Sequence, residues 1–255
     1  MQTAHDVSTP RDPNLSLHLA EVRVETELND IKGYQAIVGS LINAALATRP
    51  NISFAVAAPC QSHARAFTSH LTAANRVLQY LKSTANIRLH FRRSSTTNSN
   101  DRLSGYTDSN WANDSADRKS QGGHVFLFSN RAVSCQSRKQ DLITMSTLKA
   151  EYIACSEGSH EAELLLQLNR DLYGNDTSPL PINCNNQGAL SHITTGIIKA
   201  HRQHIDVCYH NSQDLHAHKI VDYSYVHMNK NVADILTKAL TKDKHEKFTK
   251  AMGLW

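Results

Sequence analysis

Leu103-Ser-Gly-Tyr-Thr-Asp-Ser-Asn-Trp-Ala112 has the apolar-polar pattern of a half-buried strand, and it carries an acid, Asp108, up to a tryptophan, Trp111. A second acid, Glu151, stands in the helical stretch Lys149-Ala-Glu-Tyr-Ile-Ala-Cys155, and a third, Asp234, in Val232-Ala-Asp-Ile-Leu-Thr-Lys238. Acids at strand ends and helix starts can converge at one edge of a sheet. Carboxylates gathered on two divalent cations hydrolyse a phosphodiester, one metal activating water and the other steadying the leaving oxygen. Magnesium suits that work because it takes carboxylate, water and phosphate oxygens. Taken singly, each acid also has an ordinary reading. Asp108 is a strand-end acid, Glu151 an exposed helix acid, and Asp234 an acid favoured by a helix dipole.

The segments around these acids predict a mixed α/β order. Strands are expected at 103–110, 124–129 and 132–138, with Ser129-Asn130-Arg131 as a hairpin turn. A long helix at 146–173 stops at Gly174. A strand at 180–184, helices at 186–192 and 201–216, a strand at 220–226 and a helix at 232–240 complete the pattern.

Upstream, residues 1–30 read as an extended arm with Pro10 and Pro13. An alanine-rich helix is expected at 34–47, stopped by Thr48-Arg49-Pro50. Residues 52–58 fit helix or strand, and Leu71, Ala74, Leu78 and Leu81 give a helix at 69–83. A strand is expected at 88–93. Between Arg76 and Arg93 lie Arg76, Lys82, Arg88, Arg92 and Arg93 and no acid, the most basic stretch of the chain. Such a run either tracks a phosphate backbone or is a solvated face. The polar segment 94–100 marks a linker, dividing the chain into 1–93 and 101–255.

Across 255 residues the net charge is +4, which permits a nucleic-acid partner without demanding one. Five cysteines with no Cys-x-x-Cys argue against a disulfide scaffold and for a reducing, intracellular setting, cytoplasm or nucleus. No run of about 18 apolar residues suggests a membrane span, and Met1 to Pro13 lack the apolar core of a secretory signal. Of the 15 histidines, His201, His204, His210, His216 and His218 cluster, and His201 and His204 can share a helix face. A zinc site needs further ligands at suitable spacing, so packing and surface roles are expected.

The chain resembles the C-terminal part of a copia-type retrotransposon polyprotein, ending in a ribonuclease H domain. Val7-Ser-Thr-Pro-Arg-Asp-Pro-Asn-Leu15 is similar to the segment after the polymerase palm. Gly39-Ser-Leu41, Thr48-Arg-Pro50 and Arg76-Val-Leu-Gln-Tyr-Leu-Lys82 are similar to the thumb and connection. Gly105-Tyr-Thr-Asp-Ser-Asn-Trp-Ala112, Asp117-Arg-Lys-Ser120, Ala150-Glu-Tyr-Ile-Ala154, His204-Ile-Asp206 and Ala233-Asp-Ile-Leu-Thr-Lys238 are similar to ribonuclease H landmarks, in order and at family-like spacing.

The resemblance implies a ribonuclease H-like mixed sheet with flanking helices, preceded by a small, mainly helical thumb and connection remnant. It also implies an Asp-Glu-Asp-Asp metal set, with Asp108, Glu151 and Asp234 as first, second and last members. At the third position the family has Cys-Asp-Asn-Gln, whereas this chain reads Cys184-Asn185-Asn186-Gln187. The Asn185 carbonyl can still ligate a metal, but without charge. Lys149 stands where glutamate is common, and Ala239 where proline is common.

The expected function is therefore hydrolysis of RNA in RNA–DNA hybrids with Mg2+ or Mn2+, weakened by Asn185. The alternative is an inactive remnant that binds hybrid or duplex nucleic acid. The polymerase's own Asp-Asp motif is missing, so no polymerase activity is expected. His227 lies seven residues before Asp234 in an expected loop, where it either assists proton transfer and product release or is an ordinary exposed histidine.

Overall fold

The computed structural model describes residues 7–13, 26–91, 102–174, 178–195 and 206–255, with side chains from 206–210 left aside. The expected linker 94–100, along with Arg92, Arg93, His201 and His204, lies outside the described residues.

Three helices open the chain. Helix α1 (Ile31–Ala47) starts where the Asp30 carboxylate accepts the Gly33 N–H at 2.9 Å, and it buries Tyr34, Val38, Leu41 and Ala45 along one face. A 3-10 turn at Pro50–Ile52 leads into α2 (Ser53–Gln61), resolving the ambiguous 52–58 stretch as helix. Helix α3 (Thr68–Ser83) adds Ala74, Val77 and Tyr80 to the same apolar cluster. The Tyr34 hydroxyl donates to the Pro59 carbonyl at 2.6 Å and pins α1 to α2.

The sheet is built from β1 (Leu103–Asn110), β2 (Gln121–Phe128), β3 (Arg131–Lys139), β4 (Leu180–Cys184) and β5 (Val221–Tyr225). Its order is β3-β2-β1-β4-β5. The β1–β2 and β2–β3 pairs are antiparallel, while β1–β4 and β4–β5 are parallel. Ser129 and Asn130 make the β2–β3 turn with φ of 50° and 60°, the positive values a tight hairpin demands. Helices α4 (Thr147–Tyr173), α5 (Gln187–Thr195) and α6 (Asp206–Ala217) carry the connections. An antiparallel three-strand meander followed by two parallel strands through helical crossovers is the ribonuclease H-like fold.

Both faces of β2 are covered, so nearly its whole length is buried. Phe126 faces a core formed with α4, α5 and β4, while Val125 and Leu127 face a second core on the other side. That second core holds Val232, Ile235 and Leu236 from a 3-10 turn and Phe248 and Met252 around α7 (Lys242–Ala251).

Three expectations are corrected. The helix expected at 232–240 is a 3-10 turn, Val232–Leu236, started by the Asn231 side chain, which accepts the Ala233 N–H. Helix α7 was not expected at all. Its sequence, Lys-Asp-Lys-His-Glu-Lys-Phe-Thr-Lys-Ala, offers little apolar periodicity to read. The strand expected at 88–93 is, in its described part, one bridge between Leu89 and Leu254. There Arg88 donates to Trp255 at 2.7 Å and accepts from it at 3.0 Å, so the last residues of the chain tie back to the segment after α3.

A buried polar knot joins the helical part to the sheet part. Asn51, 2% exposed, donates to the Tyr80 hydroxyl at 2.9 Å, and its carbonyl meets His245 Nε2 at 3.0 Å. Tyr80 and His245 stack edge to face at 5.5 Å. Burial pushes His245 down to about 4, keeping its ring neutral among these partners.

Helix α4 lies close on β1 because Gly158 has no side chain: a Cβ there would sit 2.7 Å from the Thr107 methyl. Replacing Gly158 by valine is expected to lower the urea midpoint, with a loss of about 1–3 kcal/mol from overpacking. An unchanged midpoint would show that the helix can shift away freely.

Candidate active site

Four elements bring the expected site residues to one end of the sheet. Strand β1 supplies Asp108, fully buried. The second turn of α4 supplies Glu151, 7% exposed. Asn185 follows β4 directly, and Asp234 lies in the 3-10 turn, also fully buried.

The side chains interlock around Asp108. Asn185 Nδ2 donates to Asp108 Oδ1 at 3.0 Å. The Thr237 hydroxyl donates to Asp108 Oδ2, and Lys238 Nζ stands 3.3 Å from the same oxygen. That ammonium also reaches Asp234 Oδ1 at 3.0 Å, while Lys244 Nζ contacts Asp234 Oδ2 at 2.5 Å. The Glu151 Oε2 atom is buried without a hydrogen-bond partner.

Burial dominates the electrostatics. It pushes Asp108 up to about 6, against the pull of Lys238 and with a further push from Asp234. It raises Glu151 well above the usual carboxylate range, reinforced by Asp108 and Cys184. Lys238 goes the other way: burial would lower it, but Asp108 and Asp234 outweigh burial and hold it above the ordinary lysine value.

Several contributors were not singled out from the sequence. Asn231, fully buried, donates to the Thr107 carbonyl at 2.8 Å and so fixes the Asp234 turn against β1. Thr237, Lys238 and Lys244 close the ring around the two aspartates. The available signal was the spacing of Asp234 and Lys238, four residues apart. Trp111 is 41% exposed, and its indole N–H donates to the Thr144 carbonyl at 2.9 Å.

Other expected residues stand apart. Arg76 is half-buried, 3.7 Å from Asp12 and hydrogen-bonded to Thr9 at 3.4 Å. Lys82 and Arg88 are exposed. His227 is exposed in its loop, its Nδ1 accepting the Asn229 N–H at 3.2 Å. Cys60, Cys135, Cys155 and Cys184 are free thiols. Among the described residues, no helix is long and apolar enough to cross a membrane.

The donor set is chemically apt for a hard divalent cation: three carboxylates, of which Glu151 Oε2 and Asp234 Oδ1 are buried without a hydrogen bond, the latter in ion-pair contact with Lys238, and a neutral amide. As they stand, however, no three His, Cys, Asp or Glu among the described residues are gathered tightly enough to hold an ion. The ammonium of Lys238 stands between two of the acids.

No family model matches the chain. It is 33% identical, over its whole length, to the retrovirus-related Pol polyprotein from transposon TNT 1-94 of Nicotiana tabacum, and 31% identical, again over its whole length, to that from transposon RE1 of Arabidopsis thaliana. The chain belongs to the copia-type Pol polyprotein family. It spans less than a fifth of either Pol polyprotein, 19% and 17%. Among solved structures, the N-terminal ribonuclease H domain of Rv2228c from Mycobacterium tuberculosis aligns at 14% identity and a TM-score of 0.40, covering 58% of this chain and 96% of that one. The Pol chain's ribonuclease H-like architecture rests on its own strand order.

The raised value of Asp108 sets a pH dependence. The folded chain holds the proton more tightly than the unfolded chain, so the contribution to stability is largest below about 4 and is lost as pH rises toward about 6. Asp108→Asn removes this term. Urea midpoints of the native chain are therefore expected to fall, relative to the Asp108→Asn variant, between these pH values and to run parallel above them. Parallel curves throughout would place the folded Asp108 at its ordinary value.

Proposed function

We propose that this Pol chain carries a ribonuclease H-type phosphodiesterase that acts on the RNA strand of RNA–DNA hybrids, weakened by the amide at position 185. The observation that carries this reading is the gathering of Asp108, Glu151, Asn185 and Asp234, from four separate elements, at one end of a ribonuclease H-like sheet. Membership in the Pol family supports the same class of substrate.

Asp108, Glu151 and Asp234 would hold Mg2+ or Mn2+ with the Asn185 carbonyl as a neutral donor, and the bound metal would supply water activation and charge stabilisation at the scissile phosphate. The protein's own part is to hold these oxygens in a rigid, water-poor cleft. Asn231 and Thr237 do so by tying the 3-10 turn to β1. Residues 1–93 are proposed as a thumb and connection remnant that meets the duplex through phosphates. Of the described cations in the basic run, Lys82 and Arg88 are exposed and Arg76 is half-buried beside Asp12.

One observation favours a second reading, a nucleic-acid-binding remnant without hydrolysis. The Asn185 amide donates to Asp108, and lysines contact the oxygens of Asp108 and Asp234, so these two acids have their charge offset within the protein.

Cleavage of a labelled RNA–DNA hybrid with Mg2+ or Mn2+ separates the readings. The native chain is expected to cut slowly, Asn185→Asp at least ~10-fold faster, and Asp108→Asn not at all, each ~10-fold step being about 1.4 kcal/mol of barrier. Binding of hybrid with no cleavage by either the native chain or Asn185→Asp would sink the enzyme reading in favour of the second.

A further inference from the structure

Lys238 has no role in the proposed hydrolysis, yet it makes the most central contacts of the cleft. Its ammonium lies 3.3 Å from Asp108 Oδ2 and 3.0 Å from Asp234 Oδ1. These acids come from different elements, β1 and the 3-10 turn, and both are fully buried. An ordinary Asp–Lys pair four residues apart sits on a helix surface and contributes tenths of a kcal/mol. Here the lysine bridges two carboxylates that would otherwise repel each other in a low-dielectric site.

We propose that Lys238 is an internal counter-ion, its ammonium holding the carboxylate oxygens that a divalent cation would need, so that metal loading requires Lys238 to swing out. The inference deepens, and rests on, the proposed metal-dependent reading. Three features support it. Lys238 is the single cation shared by the two buried aspartates among the described contacts, since Lys244 engages Asp234 alone. Its side chain is 32% exposed, so it has a path to solvent. The nearby Glu151 Oε2 is buried and unpartnered, a donor that the lysine leaves unused. A monovalent ammonium loses to a divalent cation on charge, but its covalent tether gives it a high local concentration. The lysine therefore sets a threshold metal concentration rather than a block. Asn185 strengthens this bias, because an amide beside Asp108 leaves less negative charge to attract the second positive charge of a metal.

The test uses Mn2+ as the probe on the full chain, followed by the electron paramagnetic resonance signal of the free ion. Lys238→Met keeps the stem and removes the charge. It is expected to bind Mn2+ at least ~10-fold more tightly than the native chain. Because the variant exposes buried acids to mutual repulsion and can fail to fold, a second measurement uses the unaltered protein. Lysine acylation is read by mass spectrometry with and without saturating Mn2+, with exposed Lys219 as reference. Acylation of Lys238 is expected to rise several-fold when Mn2+ binds. Equal or weaker Mn2+ binding by folded Lys238→Met, or unchanged acylation of Lys238 in the Mn2+-bound native chain, overturns the inference alone. Failure of native chain and variant alike to bind Mn2+ overturns the inference and the metal-dependent reading together.

Discussion

A fully buried carboxylate survives in a folded protein only when its charge is met or its proton kept, and Asp108 has both answers built around it. Lys238 and the Thr237 hydroxyl meet one oxygen, and the Asn185 amide meets the other. Thr237 and Lys238 arrive together just after the 3-10 turn, and Asn185 arrives just after β4. The 3-10 turn must lie against β1 for Thr237 and Lys238 to arrive, and Asn231 secures that approach through the Thr107 carbonyl. Helix α4 must lie close for Glu151 to join, and Gly158 makes room for it. The packing of the sheet end thus follows from the need to satisfy one buried acid and its neighbours.

The helical part is bound to this arrangement by a buried polar network as well as by apolar contacts of Ile87 and Leu89 with the second core. Arg49, Asn51, Tyr80, His245 and Thr249 are all nearly buried, and their hydrogen bonds run between the first helices and α7. Buried polar networks of this kind tolerate few geometries, because each unsatisfied member costs about 1–3 kcal/mol. Helix α7 in turn carries Lys244 onto Asp234. The knot therefore couples the orientation of the first helices to the charge balance of the cleft.

The sheet was legible because its strands are short apolar-rich runs and its turns announce themselves: Ser129-Asn130 fell where the hairpin needed positive φ, and 180–184 was preceded by Pro179 and followed by polar residues. The convergence of the acids was legible only through ordered motifs, since each acid alone resembles any other. Lys238 and Thr237 were in plain view within one of those motifs, but their importance comes from Asp108, far away in sequence, and no local pattern encodes that meeting. Helix α7 stayed hidden because charge masks its period. Within the basic run, Arg76 and Lys82 differ in surroundings for a geometric reason. Arg76 and Lys82 lie six residues apart, which rotates them about 120° around a helix, so one turns toward Asp12 while the other faces solvent.

Position 185 shows how a single charge links stability to chemistry. An aspartate there would face Asp108 as a like charge, where the asparagine donates a hydrogen bond instead. Without a metal, the amide is the more comfortable neighbour, because like charges in a dry cleft disfavour each other's ionised form. With a metal, the order reverses, since each added carboxylate offsets the cations and strengthens their hold. The amide that relieves repulsion beside Asp108 is thus also the poorer ligand type for a hard cation, and the lysines on both buried aspartates offset negative charge in the same way. The cleft thus balances its buried acids internally, through Lys238, Lys244 and the Asn185 amide.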